Sequence, residues 1–425
     1  MAVEAATTLG ALSCADDYDP NSMPVEKARQ LIRQFLEPIS GTERVAIRNA
    51  LGRVLGEDVI SPVAVPSHDN SAMDGYALRF EDLAPDGETT LEIAGTAFAG
   101  APFAGAVEKG RCVRIMTGGV MPAGADTVVM QERVAADGNT ARIAPGQKRG
   151  QNVRRAGEDL QPGQVVLARG TFVRPAELGL IASLGIGEVT VFRRLRVAFF
   201  STGDELVSIG TPLGEGQIYD SNRYTIHGML TRLGCDVIDM GVVRDDPAAL
   251  ERAFNEAAAM ADVVITSGGV SVGEADFTKD LLEKLGEVVF WKIAMKPGRP
   301  LAYGKVRHAH FFGLPGNPVS VMVTFYEFVR DALLVLMGRQ NVAPPPTFKV
   351  KCTTPLKKAP GRTEFQRGLL YREPGGEWAV RVTGDQGSGI LRSMSEANCF
   401  IVLPADQGAT PAGSLVDVQL LDGLA

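Results

Sequence analysis

Hydrophobic residues between positions 193 and 340 alternate between two kinds of spacing. Short runs of consecutive apolar residues, which are typical of buried strands, alternate with segments whose apolar residues recur every three or four positions, as in helices. This alternation with short connections predicts a doubly wound parallel sheet with helices on both faces. We expect strands over 196–200, 236–241, 262–266 and 310–313, and helices over 222–233, 247–260, 277–285 and 319–336.

The segments on either side of this α/β region have other patterns. Helical spacing predicts a helix before Pro38, a second short helix over 43–51, and a third over 175–184 that packs on the first two. Residues 60–165 and 347–425 contain short β-like runs between glycines and prolines. The fold class is therefore multidomain α/β plus β. We expect a helical linking domain from 24–60 and 165–192, a mostly β domain over 61–164, a central α/β domain over 193–343, and a C-terminal β-barrel-like domain over 347–425.

Composition excludes several classes of protein. With 43 Lys and Arg against 50 Asp and Glu, the net charge of −7 argues against a nucleic-acid binder with a broad basic surface. Five cysteines without a Cys-x-x-Cys pair exclude a disulfide framework and a Cys-rich zinc site, and fit a reducing compartment. Residues 1–22 lack the features of a targeting signal, and no apolar stretch is long enough to cross a membrane. We expect a cytoplasmic protein without membrane or nucleic-acid partners.

Unusual loops follow four of the predicted strands of the α/β domain. In an open parallel sheet, ligands bind beyond the carboxyl ends of the strands, where glycines and hydroxyls let the backbone approach an anion. The carboxylates of Glu205, Asp245 and Asp276 lie in these loops and could gather around a hard cation that bridges phosphates. The loops are Ser-Thr-Gly-Asp-Glu-Leu at 201–206, Arg-Asp-Asp-Pro at 244–247, the Gly-rich segment 266–276, and Gly-Leu-Pro-Gly-Asn-Pro at 313–318.

Each loop also has a purely structural interpretation. Taken singly, Asp245, Asp246 and Asp276 are more often helix caps than metal ligands, and a Gly-rich turn after a strand is often only a turn. Neither the dinucleotide fingerprint nor the Walker A pattern is present. The convergence of four such loops on one sheet edge favours a ligand site.

Cationic and polar residues elsewhere extend this picture. Lys292 and Lys296 are an even number of positions apart, so they would share one face of a strand and suit an oxyanion; the alternative is a solvated sheet edge. In the β domain, the segments 69–77, 114–119 and 154–159 are dense in polar residues and support a polar ligand surface, or elaborate turns.

Together these segments resemble the molybdopterin molybdenumtransferase family, which catalyses the last step of molybdenum cofactor synthesis and includes the C-terminal domain of gephyrin. The matching motifs occur in family order, and the resemblance covers nearly the whole chain from about residue 24. They are Asp-Asn-Ser-Ala-Met-Asp-Gly-Tyr at 69–76, Thr-Gly-Asp-Glu-Leu at 202–206, Thr-Ser-Gly-Gly-Val-Ser at 266–271, Lys-Pro-Gly-Arg-Pro at 296–300 and Gly-Leu-Pro-Gly-Asn-Pro at 313–318.

The resemblance implies insertion of molybdate into adenylylated molybdopterin, with Mg²⁺ required and AMP released. It also implies a homodimer whose active cleft lies between the α/β domain of one subunit and the β domain of the other, and transient contacts with the adenylyltransferase and with molybdoenzymes. Carried over by motif, the residues implied to act in catalysis are Asp74, Thr117, Glu205, Asp245, Asp276, Lys292 and Lys296. Asp159, Pro315 and Pro318 are carried over in the same way, as substrate-binding residues. We also expect Ser267, Gly268, Gly269 and Arg299 to bind substrate, and Asp245, Asp276 and Glu205 to bind Mg²⁺.

Alternative functions remain at this point. One is a molybdopterin adenylyltransferase, which acts a step earlier and resembles only the central domain. The other is a non-catalytic scaffold of the gephyrin type. Preference between molybdate and tungstate, and the order of AMP release and metal insertion, stay open.

Overall fold

The first helix of the computed structural model, α1 (Val25–Gln34), packs in the core of the central α/β domain. The structure describes residues 22–269, 281–282 and 284–421. The buried side chains of Ala28 and Ile32 share one hydrophobic core with Val197 of the central sheet. The predicted helix is confirmed, but its packing differs from the expectation that it would contact helix 175–184. The four domain boundaries themselves stay a prediction.

A strand replaces the first half of the helix predicted over 43–51. Strand β1 (Thr42–Ala46) leads into a 3₁₀ turn (Ile47–Ala50), and β2 (Val59–Ile60) follows. The prediction of a helix was wrong here because β1 is fixed by pairing with a strand about 145 residues later, which local periodicity cannot reveal.

The next part of the chain is mostly β, as the sequence predicted. Six of its strands form one sheet in the order β7-β4-β6-β5-β9-β8, and the two short ones pair with each other. The strands are β3 (Asn70–Ser71), β4 (Gly75–Leu78), β5 (Thr89–Ala97), β6 (Arg111–Ile115), β7 (Thr127–Met130), β8 (Val134–Asp137), β9 (Thr140–Ile143) and β10 (Val153–Arg154), with 3₁₀ turns at Phe80–Asp82 and Gln131–Arg133.

The chain then returns to the region of β1 and β2. Strand β11 (Val165–Leu167) pairs with β2, helix α2 (Pro175–Ser183) follows, and β12 (Glu188–Phe192) pairs with β1. Ile181 of α2 is buried with Ala50 of the 3₁₀ turn. The third predicted helix is therefore confirmed, and it packs on the second predicted segment but not on α1.

The central domain holds a six-stranded sheet in the order β16-β13-β17-β21-β20-β18. The first four are parallel, whereas β20 and β18 are antiparallel and were not predicted. The inner strands are buried on both sides, because helices cover both faces of the sheet. The elements are β13 (Arg196–Thr202), β14 (Leu206–Val207), β15 (Ile218–Tyr219), α3 (Ser221–Leu233), β16 (Asp236–Val243), α4 (Pro247–Met260), β17 (Val263–Ser267), β18 (Gly286–Lys292), β19 (Met295–Lys296), β20 (Pro300–Val306), β21 (Ala309–Leu314), α5 (Pro318–Thr324) and α6 (Arg330–Leu336).

Two of the helices predicted for this domain are not observed as single continuous helices. The helix predicted over 319–336 is observed as α5 and α6 joined by one π-helical turn, Phe325–Val329. The helix predicted over 277–285 lies largely outside the described residues.

The C-terminal domain is a closed barrel of five strands, β23-β24-β22-β26-β25, in which β25 returns to pair with β23. Its elements are β22 (Thr347–Cys352), β23 (Thr363–Arg372), β24 (Trp378–Val382), α7 (Arg392–Glu396), β25 (Cys399–Leu403) and β26 (Leu415–Leu420). The short strand β19 of the central segment pairs with β23 and so joins the two domains. The predicted fold class is confirmed. Among the described residues, no helix has the length and apolar character needed to span a membrane.

Candidate functional site

A cavity of about 940 Å³ lies between the carboxyl ends of β13, β17 and β21 and the C-terminal barrel. The structure brings together most of the residues predicted from the α/β loops at this one place, as the convergence of loops led us to expect. The predicted residues that line the cavity are Glu205, Asp245, Ser267, Gly268, Gly269, Lys296, Arg299, Pro315 and Pro318.

Glycine is required where the loops meet. Gly268, directly after β17, has a φ of 92°, and a Cβ atom there would lie 2.6 Å from the carbonyl oxygen of Thr202. Its backbone N–H donates to the carbonyl oxygen of Leu314 at 3.1 Å. The turn after β17 is therefore pressed between the loops that follow β13 and β21, which only a residue without a side chain permits.

Asn222 connects two of these loops and was not predicted from the sequence. Its buried side-chain amide donates to the hydroxyl of Ser267 at 2.8 Å and to the carbonyl oxygen of Gly316 at 2.6 Å. It is held at this position because Asp220 caps helix α3 by accepting from the N–H of Arg223. An Asp-x-Asn sequence before a helix was the available signal, but it is indistinguishable from an ordinary cap.

Negative charge accumulates on one side of the cavity. Although Asp245 is exposed as a residue, partial desolvation of its carboxylate and the nearby charges of Asp204 and Glu205 raise its pKa above the ordinary value. Its neighbour Asp246 instead caps α4 by accepting from the N–H of Ala249 at 2.8 Å. The two adjacent aspartates therefore have different roles, a cap and a cavity carboxylate.

The described residues contain no group of three or more His, Cys, Asp or Glu side chains arranged to hold a metal ion. Asp276, predicted as a third metal ligand, lies outside the described residues.

Positive charge at the same cavity comes from Lys296, Arg299 and Arg362, which also line it. Lys292 does not line it, because β18 ends at Lys292 and Lys296 belongs to the separate strand β19. The two lysines therefore do not share one face of a single strand, and that prediction was wrong. The C-terminal barrel region also contributes to the cavity wall, and none of its lining residues was predicted from the sequence: Arg362, Gln386, Gly387 and Ser388.

The predicted residues of the β domain do not line this cavity. Asp74 accepts hydrogen bonds from the backbone N–H and the hydroxyl of Thr117, at 2.7 and 2.8 Å. These bonds lower the pKa of Asp74, since they stabilise the carboxylate. Asp159 is exposed, and its N–H donates to the carbonyl oxygen of Val65. The structure thus brings Asp74 and Thr117 to each other but not to the α/β loops of the same chain.

Models of three family regions match successive parts of the chain. The MoeA N-terminal region (domain I and II) matches residues 23–185, the probable molybdopterin binding domain matches 198–334, and the MoeA C-terminal region (domain IV) matches 349–421. The match therefore covers most of the chain.

Individual proteins agree with these models. The chain is 48% identical over 398 residues to the molybdopterin molybdenumtransferase of Haemophilus influenzae, covering 93% of this chain and 98% of that protein. It is 37% identical to the protein of the same name from Nostoc sp., covering 91% and 90%. The crystal structure of the molybdopterin biosynthesis MoeA protein from Pyrococcus horikoshii OT3 superposes with a TM-score of 0.79 at 31% identity, covering 94% of this chain and 100% of that chain. The chain therefore belongs to the molybdopterin molybdenumtransferase family.

Proposed function

We propose that this chain is a molybdopterin molybdenumtransferase that inserts molybdate into the dithiolene of adenylylated molybdopterin and releases AMP. The observation that carries the proposal is the cavity of about 940 Å³, which is lined both by carboxylates and by three cationic side chains. Its size suits a nucleotide-sized ligand, and its charge distribution suits a phosphoanhydride with a metal ion and an oxyanion.

The chain's cationic residues would hold the anionic substrates. Lys296, Arg299 and Arg362 would bind molybdate or the pterin phosphate as fixed positive charges, which also stabilise negative charge that develops when the anhydride breaks. The backbone around Gly268 and Gly269 would lie against the substrate, since no side chain stands between it and the cavity. The catalytic role of Lys292 stays a proposal that rests on the family resemblance alone.

The carboxylate side fits a magnesium ion. The pKa of Asp245 is raised by desolvation first and then by the negative charges of Asp204 and Glu205, which a divalent cation would neutralise. Mg²⁺ is commonly held by one or two carboxylates together with phosphate oxygens and water, so a full protein cage is not needed. We propose that Asp245 and Glu205, with Asp276, hold the ion. When bound, it would neutralise the phosphoanhydride.

A second copy of the chain would complete the site. We propose a homodimer in which Asp74 and Thr117 of one subunit face the α/β loops of the other. Exposed apolar side chains support this, because Ile218 and Tyr219 line the cavity and are themselves exposed. Further exposed apolar side chains nearby in the sequence are Ile209, Leu213 and Tyr224.

The experiment that tests the function measures AMP release from adenylylated molybdopterin, with and without molybdate and Mg²⁺. Release that requires both ions, and that fails in Asp276→Ala, supports the transferase. Substrate that binds tightly without release would indicate a carrier or scaffold, and adenylylation of molybdopterin with ATP would indicate an adenylyltransferase. A parallel series with tungstate determines which oxyanion is preferred.

A further inference from the structure

The C-terminal barrel places a buried carboxylate behind the cavity lysine. Strand β19 pairs with β23 so that Lys296 lies opposite Glu364, and the Lys296 Nζ is 3.6 Å from the Glu364 Oε1. The two side chains differ in exposure, 51% for Lys296 and 7% for Glu364. One end of the ion pair is therefore fixed inside the protein, and the other stands at the cavity wall.

Glu364 is itself held in place by the barrel. The Gln366 Nε2 donates to the Glu364 Oε2 at 3.0 Å and to the carbonyl oxygen of Lys357 at the same distance. Lys358 supplies a second positive charge nearby: it is a buried residue, and its ammonium donates to the carbonyl oxygens of Ala359, Ala405 and Gln407. Burial lowers the pKa of Lys358, and the charge of Glu364 opposes this effect. The charge of Glu364 thus acts on two lysines, the buried Lys358 and the cavity residue Lys296.

The geometry leaves Lys296 able to bind a second anion. Charge-assisted hydrogen bonds between an ammonium and a carboxylate are typically about 2.7–2.9 Å long, so a separation of 3.6 Å is an ion pair without a tight hydrogen bond. An ammonium carries three donors. Glu364 can therefore attract the Lys296 ammonium from one side, while the N–H donors of Lys296 remain directed at an oxyanion in the cavity.

We propose that Glu364 is a positioning residue that fixes Lys296 at the cavity wall for oxyanion binding. The proposal rests on the proposed function, because it takes molybdate as the anion that Lys296 meets. A flexible four-carbon side chain loses much conformational freedom on binding, so a carboxylate that already restrains it improves affinity.

The test is a double-mutant cycle with molybdate alone as the probe. Dissociation constants are measured by isothermal titration calorimetry for the wild type, Glu364→Gln, Lys296→Ala and the double variant. Glu364→Gln weakens binding about fivefold, the scale expected for one partly exposed ion pair. In the Lys296→Ala background the same change has no further effect, because the residue acts through the lysine.

Controls separate this role from a general effect on the fold. Glu364→Gln keeps an acceptor for Gln366, and its thermal unfolding midpoint should match that of the wild type. Glu364→Asp, which retains the charge, should restore part of the affinity. Glu177→Gln, which removes a buried ion-paired carboxylate in the α2 region, should leave molybdate binding unchanged.

Two results would overturn the proposal. One is an unchanged affinity for molybdate in Glu364→Gln, and the other is an equal loss of affinity on this change in the wild-type and Lys296→Ala backgrounds. A wild type that binds molybdate but releases no AMP contradicts the proposed function and leaves the role of Glu364 standing. A wild type that does not bind molybdate contradicts both.

Discussion

The side-chain amide of Asn222 lies 2.6 Å from the carbonyl oxygen of Gly316, and the same nitrogen donates to Ser267. One buried amide thereby links the last residue of β17 to the turn after β21, and Ser267 and Gly316 both line the cavity. A change at Asn222 should therefore affect the position of both segments at once.

Asn222→Ala should lower kcat/KM for AMP release by about 10- to 100-fold, because displacement of a binding loop by a fraction of an ångström has effects of this size. Steady-state kinetics with varied adenylylated molybdopterin would measure it. We expect both a higher KM and a lower kcat.

Asn255→Ala is the matched control for this change. The Asn255 amide donates to the carbonyl oxygen of Glu251 on α4 and does not line the cavity. It should retain wild-type kinetics. If Asn222→Ala were equally active, the two hydrogen bonds would have no role in arranging the loops.

The Asp245 carboxylate should control the metal dependence. Asp245→Asn is expected to raise the Mg²⁺ concentration for half-maximal AMP release at least about tenfold, since a neutral amide is a weaker ligand for a hard cation. Because its pKa is raised, Asp245 takes up a proton at a higher pH than an ordinary aspartate does. As the pH is lowered, the Mg²⁺ affinity of the wild type should therefore begin to decline at a correspondingly higher pH. Asp204→Asn removes one like charge and should shift that decline to lower pH.

Asp246→Ser tests whether this effect belongs to Asp245. Serine also caps helices, so α4 should keep its N-terminus. An Mg²⁺ requirement that changed as much in Asp246→Ser as in Asp245→Asn would contradict the separate roles of the two aspartates.

The sequence predicts the parallel strands and their loops well because their signals are local. A buried strand such as β17 begins with three consecutive apolar residues, and the close approach of Thr202 requires the glycine directly after it, Gly268. The loops meet in one cavity because the ends of parallel strands share a sheet edge.

The parts that could not be predicted depend on long-range pairing. Arg362 and Ser388 of the barrel region line the cavity, and the barrel is joined to the central segment by the pairing of β19 with β23, which no local pattern indicates. Strand β1 is likewise defined by its partner β12. The hydrogen bonds of Asn222 depend on two loops distant in sequence, whereas its own local context is that of a helix start.

A buried histidine in β21 should make stability depend on pH. His310 is almost fully buried, its Nδ1 has no hydrogen-bond partner among the described residues, and burial together with the charge of Lys305 lowers its pKa to about 4; Asp262 acts in the opposite direction. The unfolded chain binds a proton near pH 6.5, whereas the folded chain does not until about pH 4. Stability should therefore fall as pH decreases from 6.5 to 4, by at most about 3 kcal/mol.

Denaturant unfolding of the wild type and His310→Gln at pH 7.5 and 4.5 measures this effect. The loss of unfolding free energy between pH 7.5 and 4.5 should be smaller in His310→Gln than in the wild type, by most of the contribution of His310. The contributions of other titratable groups cancel in this comparison. His227→Gln, at an exposed position on α3, should retain the wild-type difference. An equal pH dependence in wild type and His310→Gln would mean that His310 is protonated equally in the folded and unfolded states.

The separation of Asp74 from the cavity leads to a test of the dimer. If Asp74 of one subunit acts with Asp245 of the other, a heterodimer of Asp74→Asn and Asp245→Asn chains contains one doubly defective site and one intact site. Each variant alone should release little AMP. After mixing under conditions that exchange subunits, about a quarter of wild-type activity should return, because half of the dimers are mixed and each has one of two sites intact.

Pairs of variants from the same side of the proposed interface provide the control. Asp245→Asn mixed with Glu205→Gln should recover little activity, since both residues line the cavity of one chain and every site in the mixed dimer retains one defect. Recovery in this pair as well would mean that the defects are not confined to separate sites. The absence of recovery for Asp74→Asn with Asp245→Asn, despite subunit exchange shown by differently tagged chains, would contradict a site shared between subunits. In that case Asp74 would be limited to the contact that the structure shows, its two hydrogen bonds with Thr117.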